Sequence, residues 1–124
     1  MAKTIALTNA GRGVITNRII GAGTEPKYVG WGTGAGAAAA ANTALAAEAS
    51  EARAAGTSSR QQTTVASDTY QVVGKLTCAG APKTITEAGL FDASAAGNLA
   101  VRVAHDPDVL DVGESIEYTF RLVF

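Results

Sequence analysis

The sequence predicts a mainly β fold, an antiparallel β-sandwich or jelly-roll-like barrel that forms one domain over residues 1–124. Its length of 124 residues suits a single domain. Short segments of alternating apolar and polar residues, separated by turn residues at intervals of about 8–12 positions, are typical of sandwiches and small barrels. Within the domain, we expect residues 1–26 to form an N-terminal arm or short helix, and residues 35–56 to form a long Ala/Gly-rich loop.

The N-terminal region is compatible with a short helix or with an extended segment. A helix would be capped by Thr8 or Asn9 and would end near Gly21. However, Gly11 and Gly13 would lie inside it, and each costs about 1 kcal/mol relative to alanine in a helix. The sequence leaves both structures open here.

Residues 28–34 alternate between two kinds of side chain. Gly30, Gly32 and Gly34 leave one face almost bare, whereas Trp31 lies on the opposite, bulkier face. This period of two predicts a strand. The bare face predicts the close approach of another backbone or side chain.

The Ala/Gly-rich stretch from residue 35 to 56 has high intrinsic helix propensity, but Leu45 is its only large apolar residue. A helix with so little to bury is poorly anchored. We therefore expect a loop with one or two helical turns. Such long loops are uncommon in compact domains unless they have a contact role, so this one is expected to be ordered by a partner.

Strand patterns dominate from residue 58 onward. The last strand has the clearest alternation, so it is expected near the middle of the core, with its end at Phe124 docked. Pro107 is expected to interrupt pairing, and residues 111–114 to form a turn. The other predicted strands are 60–66 and 70–78, joined by a hairpin turn at 67–69, then 84–91 and 99–103.

Few residues suit catalysis, and we expect neither an enzyme nor a cofactor or metal site. Cys78 is the only cysteine and His105 the only histidine, so an intrachain disulfide, a cysteine-based metal site and a histidine pair are all excluded. Cys78 lies on an apolar strand face and is expected to be a small buried hydrophobe. His105 is expected in a solvated turn.

Glu87 is the most informative charged residue, because it shares a predicted strand face with Ile85 and Phe91. A carboxylate on an apolar face must be paired or reach solvent. An arginine such as Arg53, Arg60 or Arg102 is a suitable partner. We predict a structural ion pair, Glu87–Arg102, with an intersubunit pair as an alternative.

The charge distribution argues against several partners. The formal net charge is −1, and the basic residues are scattered without interleaved aromatics, which disfavours nucleic acid. No stretch has the length and apolar density of a membrane span, and no secretory signal opens the chain. The sequence therefore predicts a protein that binds neither nucleic acid nor membrane and is made in the cytosol.

Several sequence blocks occur in a fixed order along most of the chain. They are LTNAG at 7–11 with ITNRI at 15–19, GTEPKYVGWGTG at 23–34, ITEAGLFD at 85–92 leading to GNL at 97–99, and GESI at 113–116. Together, they resemble a family of small structural proteins of tailed bacteriophages. The Ala-rich section between the second and third blocks is similar to the variable section of those proteins.

The resemblance implies a cement or decoration protein that binds the major capsid protein on the outer capsid surface and is assembled in the host cytoplasm. It implies a homo-dimer or homo-trimer and brings no catalytic residues. The block ITEAGLFD also resembles virion-attached parts of tail-fibre and collar proteins, so a tail-fibre, collar or baseplate adaptor is the alternative. The end of the chain directly after a core strand is expected to favour the cement role.

Contact with the partner is expected to involve Tyr28, Trp31 and the loop that contains Leu45. Ordinary core packing is the competing interpretation for Trp31. A small carbohydrate-binding module is a third hypothesis, since such sites need exposed aromatics, and Tyr28 and Trp31 are the candidates.

Overall fold

The computed structural model describes residues 3–124 and consists of two antiparallel sheets and one helix. The larger sheet has the strand order β1-β7-β6-β2-β3, and the smaller has the order β4-β5-β8. This confirms the mainly β, sandwich-like class, and the sheets do not close into a barrel. The elements are β1 (Lys3–Leu7), α1 (Asn9–Ile19), β2 (Tyr28–Gly32), β3 (Ala54–Ala55), β4 (Thr57–Gln61), β5 (Thr69–Thr77), β6 (Lys83–Phe91), β7 (Leu99–Leu110) and β8 (Ser115–Val123).

The main core lies between the two sheets and draws apolar side chains from both. Strand β5 of the smaller sheet packs closely under β2, since a methyl group added at Gly74 would lie 2.5 Å from a Val29 methyl. Cys78 is buried in this core, as predicted. Other buried members are Trp31, Val72, Leu76, Ile85, Ala88, Leu90, Ala100, Val101, Val103, Leu110 and Phe120.

The N-terminal alternatives are resolved as a strand followed by a helix. Thr8 caps α1: its hydroxyl accepts from the Gly11 amide at 2.9 Å and donates to the Leu99 carbonyl at 2.5 Å. A methyl group at Gly11 would overlap the Ala100 carbonyl oxygen. The glycine that weakens helix propensity therefore lets the helix dock on β7. Strand β1, which pairs with β7, was not predicted.

Three expectations from the sequence are wrong. Strand β8 lies at an edge of the smaller sheet, although the Phe124 amide is docked by its hydrogen bond to the Asp68 carbonyl at 2.9 Å. The segment 35–56 contains no helical turn among the described residues. Strand β4 ends at Gln61 instead of residue 66, because the Asp68 carboxylate accepts the amides of residues 63–65 and folds them into a tight loop.

His105 lies within a strand and not in a solvated turn. Strand β7 continues through Pro107 because its pairing with β6 shifts from Ile85↔Asp108 to Glu87↔Ala104, which leaves extra residues on β7 as a bulge. Because Pro107 lies in the bulge, where its missing amide breaks no ladder hydrogen bond, the strand continues and is longer than predicted.

Candidate functional site

The outer face of the larger sheet is covered by the Ala/Gly-rich loop, which folds back over β2 and β6. A methyl group at Gly30 would lie 3.1 Å from Glu48 Oε2, and one at Gly32 would overlap the Ala47 carbonyl oxygen. The bare face of β2 is therefore the seat of this loop. This confirms the close approach that the glycines predict.

Glu87 is the anchor of the loop. It lies on β6, is fully buried, and points outward under the loop. Its carboxylate accepts backbone amides from Gly34 at 2.9 Å, Ala46 at 2.8 Å and Ala47 at 2.7 Å. One side chain thus binds the beginning and the middle of the loop.

Arg102 on β7 completes the anchor. Its Nη2 lies 3.1 Å from Glu87 Oε1, and its Nη1 donates to the Ala37 carbonyl at 3.0 Å and to Asn42 Oδ1 at 3.2 Å. The predicted Glu87–Arg102 pair is present, with both side chains almost completely buried. The pair connects neighbouring strands to the loop above them.

The environment of Glu87 favours its ionised form. Burial raises the pKa of Glu87, but the amides of Ala47, Ala46 and Gly34 and the Arg102 guanidinium outweigh that effect, so the net pKa is lowered. All its neighbours are donors that hold the charge in place. This geometry is that of a structural hub, because every carboxylate contact goes to the chain itself.

Arg53 and Glu51 fasten the far end of the loop. The Arg53 guanidinium lies 3.5 Å over the Phe91 ring and donates to Glu48 at 2.8 Å and to the Ala93 carbonyl at 2.9 Å. Arg53 is therefore not the partner of Glu87. Arg60, the other candidate, lies exposed on β4.

Glu51 ties the loop to the start of β6. It accepts from Trp31 Nε1 at 3.1 Å and from the Ala79 amide at 2.9 Å, and it lies 2.6 Å from Lys83 Nζ. Burial raises the pKa of Glu51, but the Lys83 ammonium and these hydrogen bonds outweigh that effect and lower the pKa to about 2. The loop is thus ordered by the chain's own contacts, which corrects the expectation that a partner orders it.

The three residues expected to contact a partner lie in different environments. Trp31 is 1% exposed and belongs to the main core, and Leu45 is buried in a small cluster with Phe91 and Leu99. Tyr28 is half-buried against the same cluster. Trp31 thus packs in the main core and Leu45 packs under the loop, and a contact role for either residue stays a prediction.

The space between the two sheets is open to solvent at the edge formed by β1 and β8. A cleft of about 300 Å³ lies between β1 and β8, and its walls include Ile5, Val103, Ile116, Tyr118 and Phe120. Ile5 is 62% exposed although its neighbour across the ladder, Val103, belongs to the core. The cleft is an opening into the space between the two sheets.

A second, larger groove continues from this cleft at Leu122, which lines both. It lies between α1 and the smaller sheet and includes Ile19, Tyr70 and Phe124. Ile19 is 80% exposed. The Tyr70 hydroxyl lies 2.9 Å from Glu25 Oε2 at its floor. The cleft and the groove thus carry three of the large exposed apolar side chains, Ile5, Ile19 and Phe124, and exposed apolar surface of this kind is typical of an interaction site.

A small polar cluster borders the cleft. His105 Nε2 lies 2.9 Å from the Tyr118 hydroxyl, and His105 Nδ1 lies 4.0 Å from Asp108 Oδ2. Burial, with a smaller contribution from the Asp108 charge, raises the pKa of Tyr118. These contacts join β7 to β8 and hold the two sheets together beside the opening.

Comparisons with known proteins give no family for this chain. No family model matches it, and neither a curated protein nor a solved structure is significantly similar to it. No helix within residues 3–124 has the length and apolar character needed to cross a membrane. In the same part of the chain, no group of three or more histidine, cysteine or acidic side chains is arranged to hold a metal ion.

Proposed function

We propose that the chain is a structural protein of a tailed-phage virion that binds the major capsid protein on the outer capsid surface as a cement or decoration protein. The observation that carries the proposal is the exposed apolar surface, with Ile5, Ile19 and Phe124, along the cleft between β1 and β8 and the groove beside α1. A rigid domain with such a side is built to bind a large partner.

The contacts of the resembling sequence blocks add support. Thr8 caps the helix, Gly32 seats the loop, and Glu87 anchors it. Asp92, at the end of its block, accepts the Asn98 amide at 2.7 Å. These residues maintain the fold, so the blocks favour a shared scaffold.

The mechanism proposed is non-covalent clamping. One molecule that contacts two neighbouring capsid subunits stabilises the assembled shell relative to free subunits by mass action. The nearly neutral chain offers no strong field for steering. The contact is therefore expected to depend mainly on apolar burial and backbone hydrogen bonds. A homo-dimer or homo-trimer at a symmetry axis of the shell fits this function.

Copy number in purified virions tests the proposal. Gel densitometry against the major capsid protein is expected to show hundreds of copies per particle, in a simple ratio to the capsid subunits. A handful of copies would favour the alternative, a tail-fibre, collar or baseplate adaptor. Absence of the chain from intact particles would overturn both structural roles.

The carbohydrate-binding hypothesis loses its main residue in this structure. Sugar stacking needs an exposed aromatic face, and Trp31 is buried in the core between the two sheets. A glycan array probed with the purified protein provides the check, and we expect no binding. Specific retention on any glycan would revive this alternative.

A further inference from the structure

We infer that the cleft between β1 and β8 receives an extended segment of the major capsid protein, which adds antiparallel to β8 as a fourth strand of the smaller sheet. This inference rests on the proposed function for the identity of the partner. It is carried by the free edge of β8, by the uncovered inner face of β1, and by the cleft of about 300 Å³ between them.

The free edge of β8 is defined by the alternation of its hydrogen bonds. The Phe124 amide donates to the Asp68 carbonyl, and the Cys78 amide donates to the Glu114 carbonyl. In an antiparallel ladder, bonded residues alternate, so the even-numbered residues of β8 bond to β5. The backbone groups of Glu117, Thr119 and the later odd-numbered residues point away from β5, toward the cleft.

The larger sheet extends beyond the smaller one on this side. Strand β5 lies under β2, and the hydrogen bond from His105 to Tyr118 places β8 beside β7. Among residues 3–124, the smaller sheet ends at β8, so no strand lies opposite β1. Ile5 faces this empty position, because its ladder neighbour Val103 points into the core. A strand added beside β8 would lie opposite β1 at this position.

A single extended chain fits this position, whereas a second folded copy does not. If two β8 strands paired about a two-fold axis, both larger sheets would lie on the same side of the joined smaller sheet. The β1 strand of the first copy would then lie over β8 of the second copy. That space is already filled by β7 of the second copy, so the two strands would clash. The overhang therefore excludes sheet-to-sheet dimerisation at this edge and leaves room for one strand.

The lining of the cleft specifies the chemistry of that strand. Its cleft-facing residues would be apolar, since they would cover Ile5, Val103 and Tyr118. On its other face, a basic residue opposite Glu117 and an acidic residue opposite Arg121 would match the exposed charges of β8. Backbone hydrogen bonds would supply affinity, and the alternating pockets would supply specificity.

A pair of proline variants tests strand addition on shells assembled from the major capsid protein. Thr119→Pro removes an amide that points to the free edge of β8. Arg60→Pro is its matched control, because alternation from the same ladder places the Arg60 amide on the free edge of β4, at the other side of the same sheet. We expect Thr119→Pro to weaken shell binding by about tenfold or more, and Arg60→Pro to bind as the wild type does.

A second pair of variants avoids any change to the backbone. Ile5→Glu places a charge in the cleft, and Val65→Glu places one at a similarly exposed apolar residue in the β4–β5 loop. We expect only Ile5→Glu to lose binding. Both pairs are compared by circular dichroism first. If Thr119→Pro does not fold, the binding of Ile5→Glu and amide exchange of the wild type test strand addition instead. In the bound state, we expect slower exchange at the Glu117, Thr119 and Arg121 amides.

The outcomes separate this inference from the proposed function. If the wild type does not bind the shells, the proposed function and the inference that rests on it both fail. If the wild type binds and the Thr119 and Ile5 variants bind equally well, strand addition alone is wrong. If the free wild type is a dimer that Thr119→Pro converts to a monomer, the occupant of the edge is a second copy, and the inference is overturned.

Discussion

The outer face of the larger sheet and the inward face of its edge strand β1 differ in how they are covered. Over β2 and β6, the chain covers itself with the Ala/Gly-rich loop, and a fully buried Glu87–Arg102 pair holds that cover in place. At β1, nothing in residues 3–124 covers the inward face, and Ile5 remains largely exposed. On the loop-covered face, the polar groups make internal contacts. At the edge formed by β1 and β8, apolar surface and backbone groups stay exposed.

This difference gives the abundant alanine and glycine residues a role in closing the domain, separate from any role in binding a partner. Alanine and glycine allow the loop backbone to approach the sheet so closely that a methyl group at Gly32 would overlap Ala47. The loop thus closes the domain. Large exposed residues such as Ile19 and Phe124 line the groove beside α1 instead.

The largest expected effect comes from breaking the loop anchor. Glu87→Gln leaves the Arg102 guanidinium buried without its counter-charge and is expected to lower the free energy of unfolding by about 3–5 kcal/mol. Urea denaturation measures it. The matched control is Glu117→Gln on the exposed face of β8, for which a change within about 0.5 kcal/mol is expected.

The double variant Glu87→Gln/Arg102→Met sharpens this test. Because the uncompensated charge is then gone, we expect it to be more stable than Glu87→Gln alone. Equal stability of Glu87→Gln and the wild type would show that the pair does not hold the loop.

The next effect concerns the seat of the loop. Gly32→Ala forces a methyl group against the Ala47 carbonyl and is expected to cost about 1–3 kcal/mol. Gly13→Ala is the control, because no atom lies within 4 Å of its added methyl group. In the interior of α1, that change is expected to stabilise the protein by about 1 kcal/mol. Thermal denaturation of both variants gives the comparison, and a tolerated Gly32→Ala would mean that the loop is not tightly seated.

The sequence predicts well whatever depends on local alternation. The period of two around Trp31 gives β2, and the bare glycine face predicts that something packs there. A carboxylate on an apolar strand face predicts a buried partner for Glu87, although three arginines suited that role equally. The choice of Arg102 depends on the pairing of β6 with β7, a long-range contact that no local pattern encodes.

What the sequence does not predict depends on sheet order. Strand β8 has the clearest alternation, yet it lies at an edge, because alternation shows which side chains point inward and not which strand has neighbours on both sides. Strand β1 is short and three of its five residues are exposed, so it gives little signal. The open cleft depends on both of these strands, so local pattern alone does not reveal it.

Acid is expected to act on the closed side of the molecule. Glu51 and Glu87 have lowered pKa values, that of Glu51 falling from 4.5 to about 2. A carboxylate whose pKa is depressed in the folded state stabilises the protein above the unfolded value, and this contribution is lost as pH falls toward the folded value. Stability should therefore decrease between about pH 4.5 and pH 2.

Amide exchange followed across that range locates the acid effect. We expect faster exchange at the Gly34, Ala46 and Ala47 amides, which Glu87 binds, than in β5 at the same pH. Glu51→Gln is expected to flatten part of the pH dependence of stability. A uniform loss of protection across both sheets would instead indicate global unfolding with no weakness in the loop.

The smallest expected effect is on the open side, at Ile5. Because its side chain already lies mostly in water, Ile5→Ser is expected to change the free energy of unfolding by no more than about 0.5 kcal/mol. Val103→Ser, directly opposite on the ladder but in the core, is expected to cost about 2 kcal/mol or more. Urea denaturation of the two variants measures the contrast. Equal losses would mean that the inner face of β1 is packed in solution, and then no strand-wide position would remain for a partner to fill.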